Sequence, residues 1–226
     1  RAYNDGVAFR YVLPHVAEGE AVTGEKTVYN IPDGTNRWIA PYHADGYEDF
    51  FPLATNGEKA SRMQRRPDWG YPVLIEPVAS KFILISEGGL ERDHCGSWLR
   101  NDVSLSKYAV VMADETLPVK GSSWESPWRV MIAGGLDEVV ESTLITDVSP
   151  ANAIGDTDWI QPAPAAWIYW ANNHGSNDYK IVTEYMDLAK EMGWPYNLID
   201  AEWDEMTNGG DIEDALAYSR EIGVKS

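Results

Sequence analysis

Short apolar runs separated by turn-forming residues dominate the chain from its start to about residue 158. Runs of this length and spacing are typical of β-strands. Strands are predicted at 7–13, 72–78, 81–87, 108–113, 128–134 and 142–148, with turn formers at 32–34, 55–57 and 87–89. Because no long helical pattern interrupts them, they predict an antiparallel β-sandwich. The stretch 136–143 is compatible with one or two helical turns and stays open.

After about Pro162 the pattern changes to an alternation of strands and helices. Strands are predicted at 164–170 and 196–203, and helices at 178–193 and 211–223. The predicted apolar stripes are Ile181, Tyr185, Leu188 and Met192 in the first helix and Ile212, Leu216 and Ile222 in the second. Such alternation predicts a parallel sheet. It favours the first two βα units of a (β/α)8 TIM barrel over a doubly wound sheet, because no glycine-rich phosphate-binding fingerprint follows the first strand.

The sequence therefore predicts a mixed fold with two domains, 1–158 and 159–226. A strand is already under way at residues 7–13, and no export signal precedes it. A third strand is expected to begin after the second helix, where the chain stops. We therefore expect this chain to be an internal fragment of a longer protein.

Composition adds a bias towards aromatic side chains with a polar edge. The chain has 10 Trp and 12 Tyr against 4 Phe, which suits the binding of sugars, although a β-rich fold also favours aromatic residues. The net charge of −18 disfavours nucleic acids and anionic membrane surfaces as partners. No apolar run is long enough for a membrane span. The single cysteine, Cys95, excludes an internal disulfide and a cysteine-based zinc cluster.

Candidate chemistry lies at the carboxyl ends of the two predicted barrel strands. Trp170 and the segment 172–174 (Asn-Asn-His) follow the first strand, and Asp200, Glu202 and Trp203 end the second. A carboxylate beside a tryptophan suits a pyranose, because it accepts hydrogen bonds from hydroxyls while the ring stacks on the sugar. Asp200 and Glu202 share strand parity, so both are expected to face the barrel interior, where two carboxylates can act as acid and base. The alternative is a capped loop with surface acids.

In the β-rich part, Glu87 ends an apolar strand and precedes Gly88 and Gly89. A strand-end carboxylate beside flexible backbone can serve as a ligand for a hard cation. A turn residue is the plainer interpretation. No acidic calcium-loop signature is present, so the residues by themselves do not predict a metal.

Several separate motifs, in a fixed order, resemble glycoside hydrolase family 97. They are YNDGVAFRY (3–11), KFILISEGGL (81–90), SPWRVMIAG (126–134), AAWIYW (165–170), DYKIVTEYMDLAKEMG (178–193) and LIDAEW (198–203). This family comprises calcium-dependent α-glucosidases and α-galactosidases best known from Bacteroides-type bacteria. The resemblance implies the C-terminal part of an N-terminal β-supersandwich, followed by the start of a (β/α)8 catalytic barrel.

The resemblance also implies roles for individual residues. Glu87 resembles the sandwich glutamate that binds calcium, and Glu202 resembles the acid that hydrogen-bonds the sugar. Trp170, or as the alternative Trp167, resembles the substrate-contacting tryptophan. Asp200 receives no role. The catalytic residues of the family lie on later strands, so none is expected within this chain.

The expected function of the whole protein is cleavage of terminal α-linked galactose or glucose from oligosaccharides, with Ca²⁺ as cofactor. The fragment alone is expected to be inactive, and the resemblance implies a periplasmic or cell-envelope location in a Gram-negative bacterium. Self-association through the exposed edges of the partial barrel is also expected. Two alternatives remain: a non-catalytic carbohydrate-binding β-sandwich module, and a purely structural interaction domain.

Overall fold

The computed structural model describes residues 1–43, 50–57, 68–91, 94–114, 117–119, 122–171 and 175–226. These residues form two compact units, Arg1–Asn152 and Ala153–Ser226. The sequence placed the division at 158/159, and the assignment of each part to a domain stays a prediction.

The first unit is built almost wholly from short strands. Its strands are β1 Ala2–Tyr3, β2 Gly6–Phe9, β3 Val12–Leu13, β4 Ala21–Val22, β5 Val28–Asn30, β6 Asn36–Trp38, β7 Leu53–Thr55, β8 Asp68–Trp69, β9 Val73–Val78, β10 Lys81–Gly88, β11 Ser97–Arg100, β12 Lys107–Met112, β13 Leu117–Pro118, β14 Trp124–Glu125 and β15 Trp128–Gly134. The strands predicted at 72–78, 81–87, 108–113 and 128–134 are confirmed as β9, β10, β12 and β15. The strand predicted at 7–13 divides into β2 and β3.

Most of these strands belong to two antiparallel sheets. Among the described residues, one sheet has seven strands in the order β1-β2-β15-β10-β9-β6-β7, and the other has four in the order β5-β12-β11-β8. The ladder between β10 and β15 runs from the Phe82–Gly134 pair to the Gly88–Trp128 pair. The antiparallel fold predicted for this part of the chain is therefore confirmed.

A hydrophobic core lies between the two sheets. Val73, Ile75 and Ile85 of the larger sheet pack with Leu99 and Tyr108 of the smaller one, and all five are buried. Because side chains alternate across a strand, the same inward parity on β10 and β15 places Glu87 and Arg129 between the sheets. The two sheets thus form a sandwich with a polar cluster inside it.

Two short helices cover the opposite face of the larger sheet. They are α1 Leu136–Glu141 and α2 Leu144–Val148, and Leu144 and Val148 pack against Val130 and Ile132. The strand predicted at 142–148 is therefore wrong. Its β-branched residues resemble a strand, but Leu144 and Val148 are four residues apart and so meet the sheet from one helical face.

The second unit consists of two strand–helix pairs. They are β16 Ala165–Trp167 with α3 Tyr179–Met192, and β17 Tyr196–Leu198 with α4 Ile212–Ile222. The strands pair in parallel, Ala166 opposite Asn197. Asp178 and Asp211 cap the helix N-termini, and Gly193 and Gly223 end the helices with positive φ, a conformation that glycine adopts without strain. In the described residues, no helix is long and apolar enough to cross a membrane.

The buried stripe of α3 differs from the predicted one by about one position. Val182, Met186 and Ala189 are buried, whereas Leu188 is 39% exposed and Met192 is 55% exposed. The strands and the second helix decide which face is covered, and two apolar stripes of similar size compete on this helix. In α4, Ile212 and Ile222 of the predicted stripe pack in the core. Ala215, which was not predicted, is buried beside them.

Both strands of this unit are shorter than predicted. The predicted spans 164–170 and 196–203 contract to Ala165–Trp167 and Tyr196–Leu198. Asp200 and Glu202 therefore follow the strand instead of extending it, so strand parity does not apply to them, and the inward direction of their side chains stays a prediction.

Candidate functional site

Glu87 lies in the first unit, directly opposite Arg129 in the β10–β15 ladder. Its Oε2 accepts a hydrogen bond from Arg129 Nη1 at 2.6 Å and another from the Ser97 hydroxyl at 2.6 Å. Its Oε1 accepts from the Ser97 backbone N–H at 3.2 Å. The carboxylate is thus fixed inside the sandwich by two neighbouring strands.

Arg129 joins Glu87 to a second carboxylate. Its guanidinium also contacts Glu25, with Nε at 2.9 Å from Oε1 and Nη2 at 2.5 Å from Oε2. The side chain of Arg129 is only 2% exposed. Burial alone would lower the pKa of Arg129, but Glu25 and Glu87 raise it above its usual value, so the guanidinium stays charged.

Two tyrosines complete the polar cluster. Burial raises the pKa of the Tyr29 and Tyr71 phenols well above the usual value, so both hydroxyls stay neutral beside the charged groups. The sequence pattern did not identify Glu25 or Arg129, because Glu25 lies 104 residues from Arg129 along the chain.

The residues around Glu87 do not form a calcium site by themselves. Calcium takes six to eight oxygen ligands, whereas no group of three or more acidic, His or Cys residues suited to a metal occurs in the described part of the chain. Three of the roughly four lone-pair positions of the Glu87 carboxylate already accept hydrogen bonds. The nearby Arg129 charge also disfavours a second cation.

A separate cluster lies in the second unit, at the carboxyl ends of β16 and β17. The indole N–H of Trp167, the last residue of β16, donates to Asp200 Oδ2 at 2.8 Å. The Trp167 and Trp170 rings lie 4.9 Å apart between centroids and are tilted by 42°. Trp170 is 74% exposed, so most of its apolar ring faces solvent.

The short segment before α3 forms hydrogen bonds with the two acids that follow β17. The Asp200 backbone N–H donates to the hydroxyl of Ser176, which is fully buried, at 3.0 Å. The side-chain amide of Asn177 donates to Glu202 Oε2 at 3.3 Å. Ser176 and Asn177, which are adjacent in the turn before α3, therefore position Asp200 and Glu202 in the loop after β17.

Glu202 has a backbone conformation that side chains other than glycine rarely adopt. Its φ is 70° and its ψ is 10°, in the left-handed region. Such a conformation costs on the order of 1–2 kcal/mol in a residue with a Cβ atom. Backbone outliers of this kind concentrate at functional sites, where surrounding contacts hold them.

The structure brings together Trp167, Trp170 and Asp200, and it links Glu202 to the same loop pair through Asn177. Residues 172–174, also predicted to contribute, lie outside the described residues. Sequence reasoning missed Ser176 and Asn177. A polar pair just before the helix cap Asp178 was a usable signal, because such residues bind neighbouring backbone and side chains.

This arrangement suits recognition of a neutral, polyhydroxylated ligand. An exposed indole offers a flat apolar face, and the neighbouring acids offer hydrogen-bond acceptors. Both oxygens of Asp200 already accept hydrogen bonds, Oδ1 from the Ala201 N–H at 2.6 Å and Oδ2 from Trp167. Asp200 is therefore better placed to fix its neighbours than to transfer a proton.

A sequence model of the family described as "Glycosyl-hydrolase 97 N-terminal" matches residues 1–150. Among curated proteins, the chain is 32% identical to a probable retaining alpha-galactosidase of Streptomyces bingchenggensis, over 99% of this chain and 36% of that protein. It is 22% identical to a retaining alpha-galactosidase of Bacteroides thetaiotaomicron, over 90% of this chain and 36% of that protein. The chain thus spans about a third of the length of these relatives.

Solved structures show the same fold over nearly all of the chain. One is a glycoside hydrolase family 97 enzyme in complex with acarbose from Pseudoalteromonas sp. strain K8, with a TM-score of 0.77 and 21% identity. Another is a beta-arabinopyranosidase, with a TM-score of 0.76 and 25% identity. Each match covers 99% of this chain and 38% of the other.

Proposed function

The chain belongs to glycoside hydrolase family 97, and from this we propose that it is part of an enzyme that cleaves terminal α-linked galactose or glucose from oligosaccharides. The observation that carries the proposal is the exposed Trp170 ring, packed on Trp167 beside the acids that follow β17. Two curated relatives named as alpha-galactosidases favour galactosides among these substrates.

The proposal assigns the second unit to the start of a (β/α)8 barrel. Two parallel strands, each followed by a helix, support this assignment. In such barrels the functional residues lie at the carboxyl ends of the strands, where Trp167, Asp200 and Glu202 are found. The first unit is correspondingly assigned to the supersandwich.

Trp170 is proposed to stack on the apolar face of the sugar, with Trp167 behind it. Glu202 is proposed to accept hydrogen bonds from sugar hydroxyls, and its fixed turn and its bond from Asn177 support that role. No catalytic acid or nucleophile is assigned within this chain. The chain alone is therefore proposed to bind sugar without hydrolysing it.

Calcium dependence is part of the proposal through the resemblance at Glu87. Since the described residues contribute one carboxylate that is already paired with Arg129, a bound ion would need further oxygen ligands from outside them. A periplasmic or cell-envelope location remains a proposal of the same kind.

The test is hydrolysis of nitrophenyl α-galactoside and α-glucoside by the full-length protein and by the 226-residue chain, with calcium and with a chelator. Nitrophenyl β-arabinopyranoside serves as a third substrate, because one structural relative is a beta-arabinopyranosidase. We expect activity in the full-length protein alone, highest on the α-galactoside and reduced by the chelator.

Three variants connect the activity to this site. Trp170→Ala and Glu202→Gln are expected to lower kcat/KM at least about tenfold, equivalent to about 1.4 kcal/mol. Trp159→Ala, at another tryptophan with a 63% exposed side chain, is the matched control and should leave kcat/KM within about twofold. Sugar binding without hydrolysis in the full-length protein would instead identify a carbohydrate-binding module, and equal effects of the three variants would contradict the site.

A further inference from the structure

Asp200 occupies a position that neither stacking nor proton transfer explains. It follows β17 by two residues, and its carboxylate is directed to Trp167 across the parallel strand pair. The bond from the Trp167 indole N–H to Oδ2 is 2.8 Å long, and an indole N–H is a donor with a single hydrogen. This bond fixes the rotation of the Trp167 ring.

The carboxylate is itself held from two sides. The Ala201 N–H donates to Oδ1 at 2.6 Å, and the Asp200 N–H donates to the buried Ser176 hydroxyl at 3.0 Å. Because its backbone and one oxygen are fixed, Asp200 presents the second oxygen to Trp167 in one direction. Two hydrogen bonds therefore connect Ser176 to Asp200 and Asp200 to Trp167 in series.

Trp170 depends on this series for its orientation. It lies in a turn after β16 and is 74% exposed, while its ring packs on Trp167 at a centroid distance of 4.9 Å. An exposed side chain retains rotamer freedom unless a neighbour restricts it. A fixed Trp167 ring provides that neighbour on one face and leaves the other face for a ligand.

We propose that Asp200 is a positioning residue, which orients Trp167 and through it holds Trp170 as the stacking face for a terminal pyranose. The sugar part of this inference rests on the function proposed above, whereas the aromatic geometry does not. Asp200 does not contact the sugar; it lowers the conformational cost of binding by preorganising the aromatic pair.

The first measurement uses the full-length protein without sugar. Two close indoles couple electronically and give a paired signal in the far-ultraviolet circular dichroism spectrum. The chain has 10 Trp, so the signal of this pair is isolated as the difference between the wild type and Trp170→Phe. We expect Asp200→Ala to remove most of that difference. The exposed Asp204, also in the loop after β17, provides the matched control, Asp204→Ala, which should retain it.

The second measurement is calorimetric binding of free galactose and free glucose. Asp200→Ala is expected to weaken binding about tenfold, because the freed aromatic side chains must then be immobilised when the sugar binds. Asp200→Asn retains an acceptor for the indole and is expected to weaken binding less and to keep the spectral signal. In a Trp167→Phe background, which lacks the N–H, Asp200→Ala should have no further effect on affinity.

The outcomes separate the two hypotheses. Loss of the signal in Asp200→Ala, with no sugar binding in the wild type, supports the positioning role and contradicts the proposed function. A retained signal with weakened binding would show direct contact between Asp200 and the sugar and overturn the positioning role. A further loss of affinity in the Trp167→Phe background would overturn it as well, and thermal unfolding confirms that each variant is folded.

Discussion

Glu202 combines a side chain suited to sugar recognition with a strained backbone, and the two features can be measured separately. Its φ of 70° penalises any residue with a Cβ atom, whereas glycine adopts this conformation freely. The strain is maintained because the turn after β17 places the carboxylate where Asn177 donates to it. The positive φ of Glu202 therefore lowers the free energy of unfolding relative to a turn without such a residue.

We predict that Glu202→Gly is more stable than Glu202→Ala by about 1 kcal/mol, because both lose the carboxylate but only glycine relieves the strain. At Glu184, an exposed residue within α3, the order should reverse, with alanine more stable by about 1 kcal/mol. Urea unfolding of the four variants gives the values. The same order at both positions would show that the backbone of Glu202 is unstrained.

At Arg129, charge and burial have opposite effects on stability. We predict that Arg129→Met costs about 3–5 kcal/mol, because it leaves Glu25 and Glu87 inside the sandwich without a cation. Arg100→Met is the matched control. Arg100 pairs with Asp68 at 2.6 Å but is 37% exposed, so its loss should cost about 1 kcal/mol or less.

Chemical denaturation measures both changes. Equal destabilisation by the two substitutions would contradict a structural role for the buried cluster. Because Glu87 belongs to that cluster, Glu87→Gln is expected to lower stability in the absence of calcium as well.

At the scale of elements, the two helices of the second unit are specified by their ends. Asp178 caps α3 through the Ile181 N–H at 3.2 Å, and it also accepts two hydrogen bonds from the Asn208 amide, at 2.8 and 3.0 Å. Asn208 has a φ of 66°, which asparagine tolerates better than most residues. The Asp178 carboxylate therefore caps α3 and also fixes Asn208, in the loop that leads to α4.

The cap predicts a pH dependence with a defined sign. Partial burial raises the pKa of Asp178, but the bonds from Asn208 and Ile181 outweigh it and place the pKa below its ordinary value. A depressed folded pKa contributes stability above the unfolded value of about 3.9, and this stability is lost as the pH falls through the folded pKa. Asp178→Ala should cost about 1 kcal/mol at pH 7 and progressively less as the pH falls below the unfolded value.

Thermal unfolding of the wild type and Asp178→Ala across this pH range is the measurement. Asp187→Ala serves as the control for the loss of an acid on the same helix; Asp187 accepts a hydrogen bond from the Tyr218 hydroxyl at 2.7 Å and caps no helix N-terminus. A difference between wild type and Asp178→Ala that does not change with pH would contradict the cap as a charged group.

At the scale of the whole molecule, the chain joins a well-layered sandwich to a small parallel sheet. The seven-stranded sheet is covered by a second sheet on one face and by α1 and α2 on the other. Ala166 of β16 packs with Ala189 of α3, and Asn197, opposite Ala166 in β17, is also buried, while the next residue, Leu198, is 49% exposed. Exposed sheet edges and faces favour association.

We predict that the 226-residue polypeptide self-associates at micromolar concentrations and that Leu198→Lys reduces this association, because a lysine on the exposed face opposes pairing. Leu188→Lys is the matched control. Leu188 is also exposed but lies on α3, and its substitution should leave association unchanged. Analytical ultracentrifugation over a concentration series distinguishes the two, and a monomer at all concentrations would contradict the prediction.

The sequence by itself determined the order and type of the longer strands of the first unit and of the two strand–helix pairs of the second, but not the short strands between them. Alternation in β9, β10, β12 and β15, and capped helices followed by glycine, are local signals, since they depend on residues a few positions apart. The motif order also predicted the family that the comparisons show. The local signals failed at 142–148, where packing against a sheet selected a helix, and in α3, where it selected the buried stripe.

Tertiary structure decided which contacts the candidate residues make. The sequence indicated Glu87, Trp167, Trp170 and Glu202, but the pairing of Glu87 with Arg129 and of Trp167 with Asp200 joins residues 42 and 33 positions apart. It also decided that β17 ends at Leu198, which places Glu202 in a left-handed turn. Long-range contacts of this kind depend on the packing of several elements at once, so no local pattern encodes them.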